Sequence, residues 1–239
     1  MTDQFSRTRL LLGAEALDRL ASSRVAVFGI GGVGGYVCEA LARSGIGALD
    51  LIDKDRISLS NLNRQIIATH KTIGQFKTDV MKERILDINP NAKVVTHPCF
   101  FLPENAEEFP FEEYDYIVDA VDTVTAKLAL VCKAAEKGIP IISSMGAGNK
   151  LDPTAFRVSD ISKTKNDSLA RVMRKELRKR GIDHLKVVYS EELPSSPQGE
   201  PEEDTDPLSS RRSTPGSVAY VPSVVGLILA GEVIRDLVI

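Results

Sequence analysis

The 239 residues are 43% apolar and 26% charged, with a formal net charge of -3. This supports one large domain with a substantial core and excludes recognition of a polyanion by bulk charge, so any nucleic-acid contact must come from a local patch. Cys38, Cys99 and Cys132 lie far apart in apolar stretches with no C-x-x-C pair, which excludes a cysteine-built zinc site and points to reduced thiols in a cytoplasmic protein.

Residues 1–24 read as an N-terminal helical segment that mixes acid and base and lacks the apolar core of a signal peptide. Short β-branched runs then alternate with helical patterns: strand 25–30, helix 33–44, strand 48–52, helix 77–88, strand 92–97, strand 116–119, helix 124–137 and strand 140–144. Gly45, Asn89 before Pro90, and Gly138 before Pro140 mark helix ends. The strands read as continuous apolar runs, as in a parallel sheet covered on both faces. The expected fold is α/β, Rossmann-like and doubly wound, with ligands at the carboxyl ends of the strands.

A region at 160–186 contains a helix from Ser168 to Arg180. Leu169, Val172, Met173 and Leu177 are expected on one face, with Arg171, Arg174, Lys175 and Arg178 on the other. This stripe is either an ordinary solvated face or a track for the phosphates of a nucleic acid. Residues 190–217 are dense in Pro, Ser, Gly and acid and read as a mobile loop. The apolar run at 218–231 is too short for the roughly 20 residues that span a bilayer, so a closing core or dimer helix and no membrane contact are expected.

Gly29, Gly31 and Gly34 have the G-x-G-x-x-G spacing, which allows a tight turn whose backbone N–H groups approach a phosphate. Alone this pattern is weak and fits any dinucleotide site. The segment 59–65, LSNLNRQ, and the GQFK at 74–77 add Asn61, Arg64 and Lys77 beyond the second strand. Arginine forks onto phosphate oxygens and lysine supplies a compact charge, tools that hydride transfer does not need. Asp122, after YIVDAV, suits a magnesium ion that bridges phosphates or, alternatively, an N-cap. Asp53 is either a ligand for ribose or a cap of its loop. Asn61 and Arg64 read equally as a hydrogen-bonding cluster, Lys77 as a solvated first-turn residue, and Asp119 as a structural acid. His70, His97 and His184 are assigned no role.

The motifs GIGGVGG, LIDKDRISLSNLNRQ, GQFKTDV and DAVDT, in this order, resemble the adenylating domain of the ubiquitin-activating, ThiF/MoeB-type superfamily. Within it, TRLLLG, SSMGAGNKLDPT and DISKTKNDSLARVMRKELR make the chain most similar to the tRNA threonylcarbamoyladenosine dehydratases. The resemblance implies a single adenylating domain over 1–239 that uses ATP and Mg2+. It places Gly29, Gly31, Gly32 and Gly34 around the phosphates, Asp53 on the ribose with Asp55 beside it, and Asn61, Arg64 and Lys77 on the triphosphate. Asp122 is placed on the metal, and Arg9 reaches the γ-phosphate from the other subunit of a homodimer. The implied reaction adenylates the carboxylate of threonylcarbamoyladenosine next to the anticodon, and the carbamoyl group then closes a ring and expels AMP. No general base is required, because the carboxylate is already ionised at pH 7. Three other readings compete: an adenylyltransferase for the C-terminus of a ubiquitin-like sulfur carrier, with a sulfur-transfer protein as partner; a nucleotide-binding scaffold without turnover; and a dehydrogenase, which leaves Arg64 and Lys77 unexplained.

Overall fold

The structure, a computed structural model, describes residues 3–196, 198, 199 and 215–238. Strands β1 (Arg24–Phe28), β2 (Ala48–Ile52), β3 (Lys93–His97), β4 (Tyr116–Asp119), β5 (Ile141–Ser144), β6 (Phe156–Asp160) and β7 (Lys186–Ser190) form one sheet in the order β3-β2-β1-β4-β5-β7-β6. Every neighbouring pair is parallel except β6 with β7. The chain winds outward from β1 in one direction through β2 and β3, then returns to the other side of β1 with β4. The crevice therefore opens between the carboxyl ends of β1 and β4, where a doubly wound sheet reverses its strand order.

Helices α1 (Ser6–Leu12), α2 (Ala14–Ser22), α3 (Gly34–Ser44), α4 (Lys77–Ile88), α5 (Val124–Lys137), α6 (Ser168–Arg178) and α7 (Tyr220–Val238) surround the sheet. On one face Leu41 of α3, Met81 and Ile85 of α4 and Val225 and Leu229 of α7 pack with Val25, Val27, Leu49 and Leu51. On the other, Phe28 meets Phe101, Phe109 and Phe111 beside Leu130 of α5, and Met173 and Leu177 of α6 pack with Val131 and Val187. Aromatic pairs in such geometry add about 1 kcal/mol each beyond the area they bury. α7 lies close against α3 because residue 226 is glycine: a Cβ there would stand 2.4 Å from the Val33 carbonyl oxygen.

Of the predicted elements, 48–52, 77–88, 116–119 and 124–137 have the bounds expected. The first strand ends at Phe28 rather than at residue 30, since the chain turns at Gly29. Two strands were not anticipated. β7 sits inside what read as the approach to a loop, and β6 is a half-exposed edge strand whose FRVSD carries little apolar pattern. Ser190, the predicted start of the mobile loop, is instead buried at the end of β7, while residues 191–196 and 215–217 carry no helix or strand. Residues 197 and 200–214 of that expected loop lie outside the described residues. Val172 is 41% exposed and does not join the apolar face of α6.

Candidate nucleotide site

The glycine turn is shaped by two close approaches. Gly29 has φ 89°, and a Cβ on it would lie 2.6 Å from the Ala120 carbonyl oxygen; a Cβ on Gly34 would lie 1.8 Å from that of Gly29. No side chain fits at either position, so the end of β1, the start of α3 and the end of β4 close into one knot. Gly31 has room instead: its nearest neighbour would be the Gln65 amide at 3.9 Å, and Gly32 faces Pro222 at 3.3 Å and the Arg64 side chain at 3.5 Å. Among the described residues, the N–H groups of Gly31, Gly32, Val33 and Gly34 donate to no protein acceptor. Four open donors at the N-terminus of an eleven-residue helix form an anion site in the ordinary sense of helix-end electrostatics.

Asp53 follows β2 and is bound into this turn. Its carboxylate accepts from the Ile30 N–H at 2.6 Å and the Asp55 N–H at 2.8 Å, so it caps its own loop and still borders the open donors. Burial raises its pKa above the ordinary 3.8, with Lys77 opposing the shift and Asp55 adding to it. Lys77 begins α4, is 6% exposed, and pairs with Asp55 at 2.7 Å while standing 3.9 Å from Asp53. It is thus not the solvated first-turn residue that the sequence left open. The two carboxylates hold the ammonium where an incoming phosphate can take their place.

The 3-10 turn Leu59–Asn61 carries the other cation. Asn61 Oδ1 accepts from the Ser58 N–H, and Arg64 Nη1 donates to the Ser60 carbonyl and to Asn63 Oδ1, both at 2.8 Å. Asn61 and Arg64 therefore do hold their segment together. Arg64 is partly buried, and among the described residues no carboxylate pairs with it; burial alone pulls its pKa below the usual guanidinium value. An uncompensated, partly desolvated cation favours an anionic ligand.

Asp122 is exposed beyond β4. Thr123, not Asp122, occupies the N-cap of α5, and its buried Oγ1 has no hydrogen-bond partner. Among the described residues no three His, Cys, Asp or Glu side chains gather as a metal site, so a magnesium ion at Asp122 would depend on phosphate oxygens and water for its remaining ligands, a habit of that ion. An exposed carboxylate that supplies one ligand fits such a shared ion.

Asp119 is structural. It is fully buried and paired with fully buried Lys127 at 3.0 Å, and Lys127 also donates to Ser143 Oγ and the Ser144 carbonyl. Sequence reasoning missed Lys127 and this network, although a lysine spaced three, four and seven residues before Leu130, Val131 and Ala134 stands on an apolar helical face. Gln65 was missed as well; it is buried beside the turn with Oε1 unpartnered.

Arg9 and the cationic stripe lie outside this cluster. Arg9, on exposed α1, pairs with Asp3 at 2.8 Å. In α6, Arg171, Lys175 and Arg178 are exposed, whereas Arg174 Nη1 donates to the Ile161 and Thr164 carbonyls at 3.1 Å and to Thr164 Oγ1.

A doubly wound sheet with an open glycine turn, an acid after β2 and two cations around it defines a nucleotide-binding protein of the adenylating kind, and a model of the ThiF family matches residues 5–238. The chain belongs to the ThiF family. It is 46% identical over 242 residues to a tRNA threonylcarbamoyladenosine dehydratase of Bacillus subtilis, covering 99% of this chain and 95% of that one. The solved structure of the Escherichia coli tRNA N6-threonylcarbamoyladenosine dehydratase in complex with ATP superposes with a TM-score of 0.87 at 33% identity, over 98% of this chain and 93% of that one. An adenylyltransferase and sulfurtransferase of Vanderwaltozyma polyspora is 34% identical over 58% of this chain and 31% of its own length.

Proposed function

We propose that this chain is an ATP-dependent dehydratase that adenylates the carboxylate of threonylcarbamoyladenosine in tRNA, next to the anticodon, and cyclises it with release of pyrophosphate and AMP. The single observation that carries this reading is near full-length likeness to such dehydratases, one of them in complex with ATP, in a chain whose glycine turn leaves four N–H groups open beside Arg64.

The ionised carboxylate needs no base. Its oxygen bonds to the α-phosphorus while the bond to the pyrophosphate oxygen breaks. Gly31, Gly32 and Gly34 receive phosphate oxygens on backbone N–H groups, Asp53 accepts from ribose hydroxyls, and Asp55 yields Lys77 to the phosphates. Asn61 keeps the 3-10 turn in shape, and Arg64 meets the charge that develops on phosphorus. Magnesium held by Asp122 would neutralise charge on the phosphates. The carbamoyl group of the same side arm then attacks the acyl carbon, its proton passes to solvent, and AMP departs.

Three further assignments belong to this reading. Helix α1 buries none of its residues, and Leu10 and Leu11 are 86% and 88% exposed, which supports a homodimer in which this helix meets a second copy and Arg9 exchanges Asp3 for the γ-phosphate of the neighbouring site. Arg171, Lys175 and Arg178, with Arg174 bracing the turn beneath them, form the tRNA surface. No helix among the described residues is long and apolar enough to cross a membrane, and a tRNA substrate is in keeping with a cytoplasmic protein. The sulfur-carrier reading, with its sulfur-transfer partner, draws on a likeness to little more than half of this chain.

Substituting Lys77→Ala or Asp122→Ala is expected to lower tRNA-dependent ATP–pyrophosphate exchange by about 100-fold, the scale of removing a group that stabilises a charged transition state. Exchange at the wild-type rate in either variant contradicts the assignment, and exchange stimulated by a carrier protein but not by tRNA favours the alternative.

A further inference from the structure

Arg64 is oriented by a chain of hydrogen bonds that begins far from it in sequence. Its Nη1 donates to Asn63 Oδ1 at 2.8 Å, and Asn63 Nδ2 donates to the Ser217 carbonyl at 2.9 Å. Ser217 follows Gly216, and Gly216 is held from both sides by one residue. The Asn149 N–H donates to the Gly216 carbonyl at 2.8 Å, and Asn149 Oδ1 accepts from the Gly216 N–H at 2.7 Å. The Asn149 carbonyl also accepts from the Ser195 N–H at 2.7 Å. Asn149 achieves this in the left-handed region, with φ 58°, one of two non-glycine residues there among the described ones; asparagine tolerates that conformation better than most.

The surroundings leave little slack. A Cβ on Gly148 would lie 2.8 Å from the Pro215 Cβ, and the adjacent Lys150, 4% exposed, donates to the carbonyls of Ser190 and Glu192. Five residues beyond Ser217, Pro222 rests against Gly32 of the glycine turn. The loop after β5 thus fixes the returning chain, and that chain fixes both the side chain of Arg64 and one wall of the turn.

We propose that Asn149 is a positioning residue for nucleotide binding, acting through Gly216, Ser217 and Asn63 to hold the Arg64 guanidinium in place before the phosphates arrive. A guanidinium already set in place loses less conformational entropy on binding, and residues joined in one hydrogen-bond network are energetically coupled. The inference rests on the reading that Arg64 contacts the phosphates of ATP.

Four proteins, each with and without Arg64→Ala, test it by the Kd for ATP and by melting temperature: wild type, Asn149→Ala, Asn149→Gly and Asn149→Asp. Asn149→Gly keeps the backbone conformation while losing the acceptor, so it is informative even where Asn149→Ala does not fold. Asn149→Gly is expected to weaken ATP binding about fivefold in the wild-type background and not at all beside Arg64→Ala, the non-additivity expected of linked residues. Asn149→Asp, which keeps the acceptor, is expected to bind as wild type does. An equal loss in both backgrounds, or a fall in melting temperature with Kd unchanged, overturns the proposal. Failure of the wild type itself to bind ATP defeats the nucleotide reading and the inference with it, and is distinguishable because it appears before any substitution.

Discussion

At Asp53 burial and hydrogen bonding pull in opposite directions. Burial lifts the carboxyl above its ordinary 3.8, and Lys77 and the N–H groups of Ile30 and Asp55 only partly offset it. A carboxyl whose pKa is raised by folding is protonated more readily in the folded protein, so it favours folding at low pH and this contribution is lost as pH rises through the raised value. Ribose recognition needs the ionised form. ATP affinity is therefore expected to decline on acidification at a pH above that at which an ordinary aspartate protonates, and Asp53→Asn is expected to weaken binding and flatten this limb of a Kd-against-pH profile. An acid limb of the same shape in Asp53→Asn contradicts the assignment. Residues of this kind were legible because their types are unusual for their places: Lys77 and Arg64 stand where a dehydrogenase needs nothing. The burial of Lys77 was not legible, since the sequence does not show that Asp55 meets it across 22 positions. Asn149 was hidden for a similar reason, because its partners are 46 and 67 residues away.

Helix α6 illustrates what periodicity reads and what it misses. Leu169, Met173 and Leu177 mark the inner face, and the Asp167 side chain caps the helix by accepting from the Ala170 N–H at 2.9 Å. Periodicity grouped the four cations as equals, yet Arg174 is committed to the carbonyls of the preceding turn, a role set by how residues 161–164 fold back. The combined substitution of Arg171, Lys175 and Arg178 by Gln is expected to weaken tRNA binding and reduce the slope of log K against log salt by about 2, while Arg174→Gln chiefly lowers the melting temperature. An unchanged salt slope in the triple variant removes the helix from the interface. The strands β6 and β7 escaped notice because edge position and half-exposure leave the first with a mixed pattern, and because the second leads straight into a Pro- and Ser-rich stretch.

For the whole molecule, the alternation of strands and helices was enough to expect a parallel sheet and a ligand at its carboxyl edge. The outward order from β1, and the insertion of β7 between β5 and an antiparallel β6, depended on long-range pairing that local pattern does not encode. The proposed dimer draws on α1, where Leu10 and Leu11 face solvent in one chain. The protein is expected to sediment as a dimer, and Leu11→Glu to shift it to a monomer with loss of ATP cleavage; a wild-type monomer that cleaves ATP contradicts the role given to Arg9. The central claim concerns the substrate. Its most direct test is mass analysis of anticodon-loop nucleosides after tRNA bearing threonylcarbamoyladenosine is incubated with the protein and ATP. Loss of one water from that nucleoside with formation of AMP and pyrophosphate is expected, and an unchanged nucleoside in the presence of ATP contradicts the dehydratase reading.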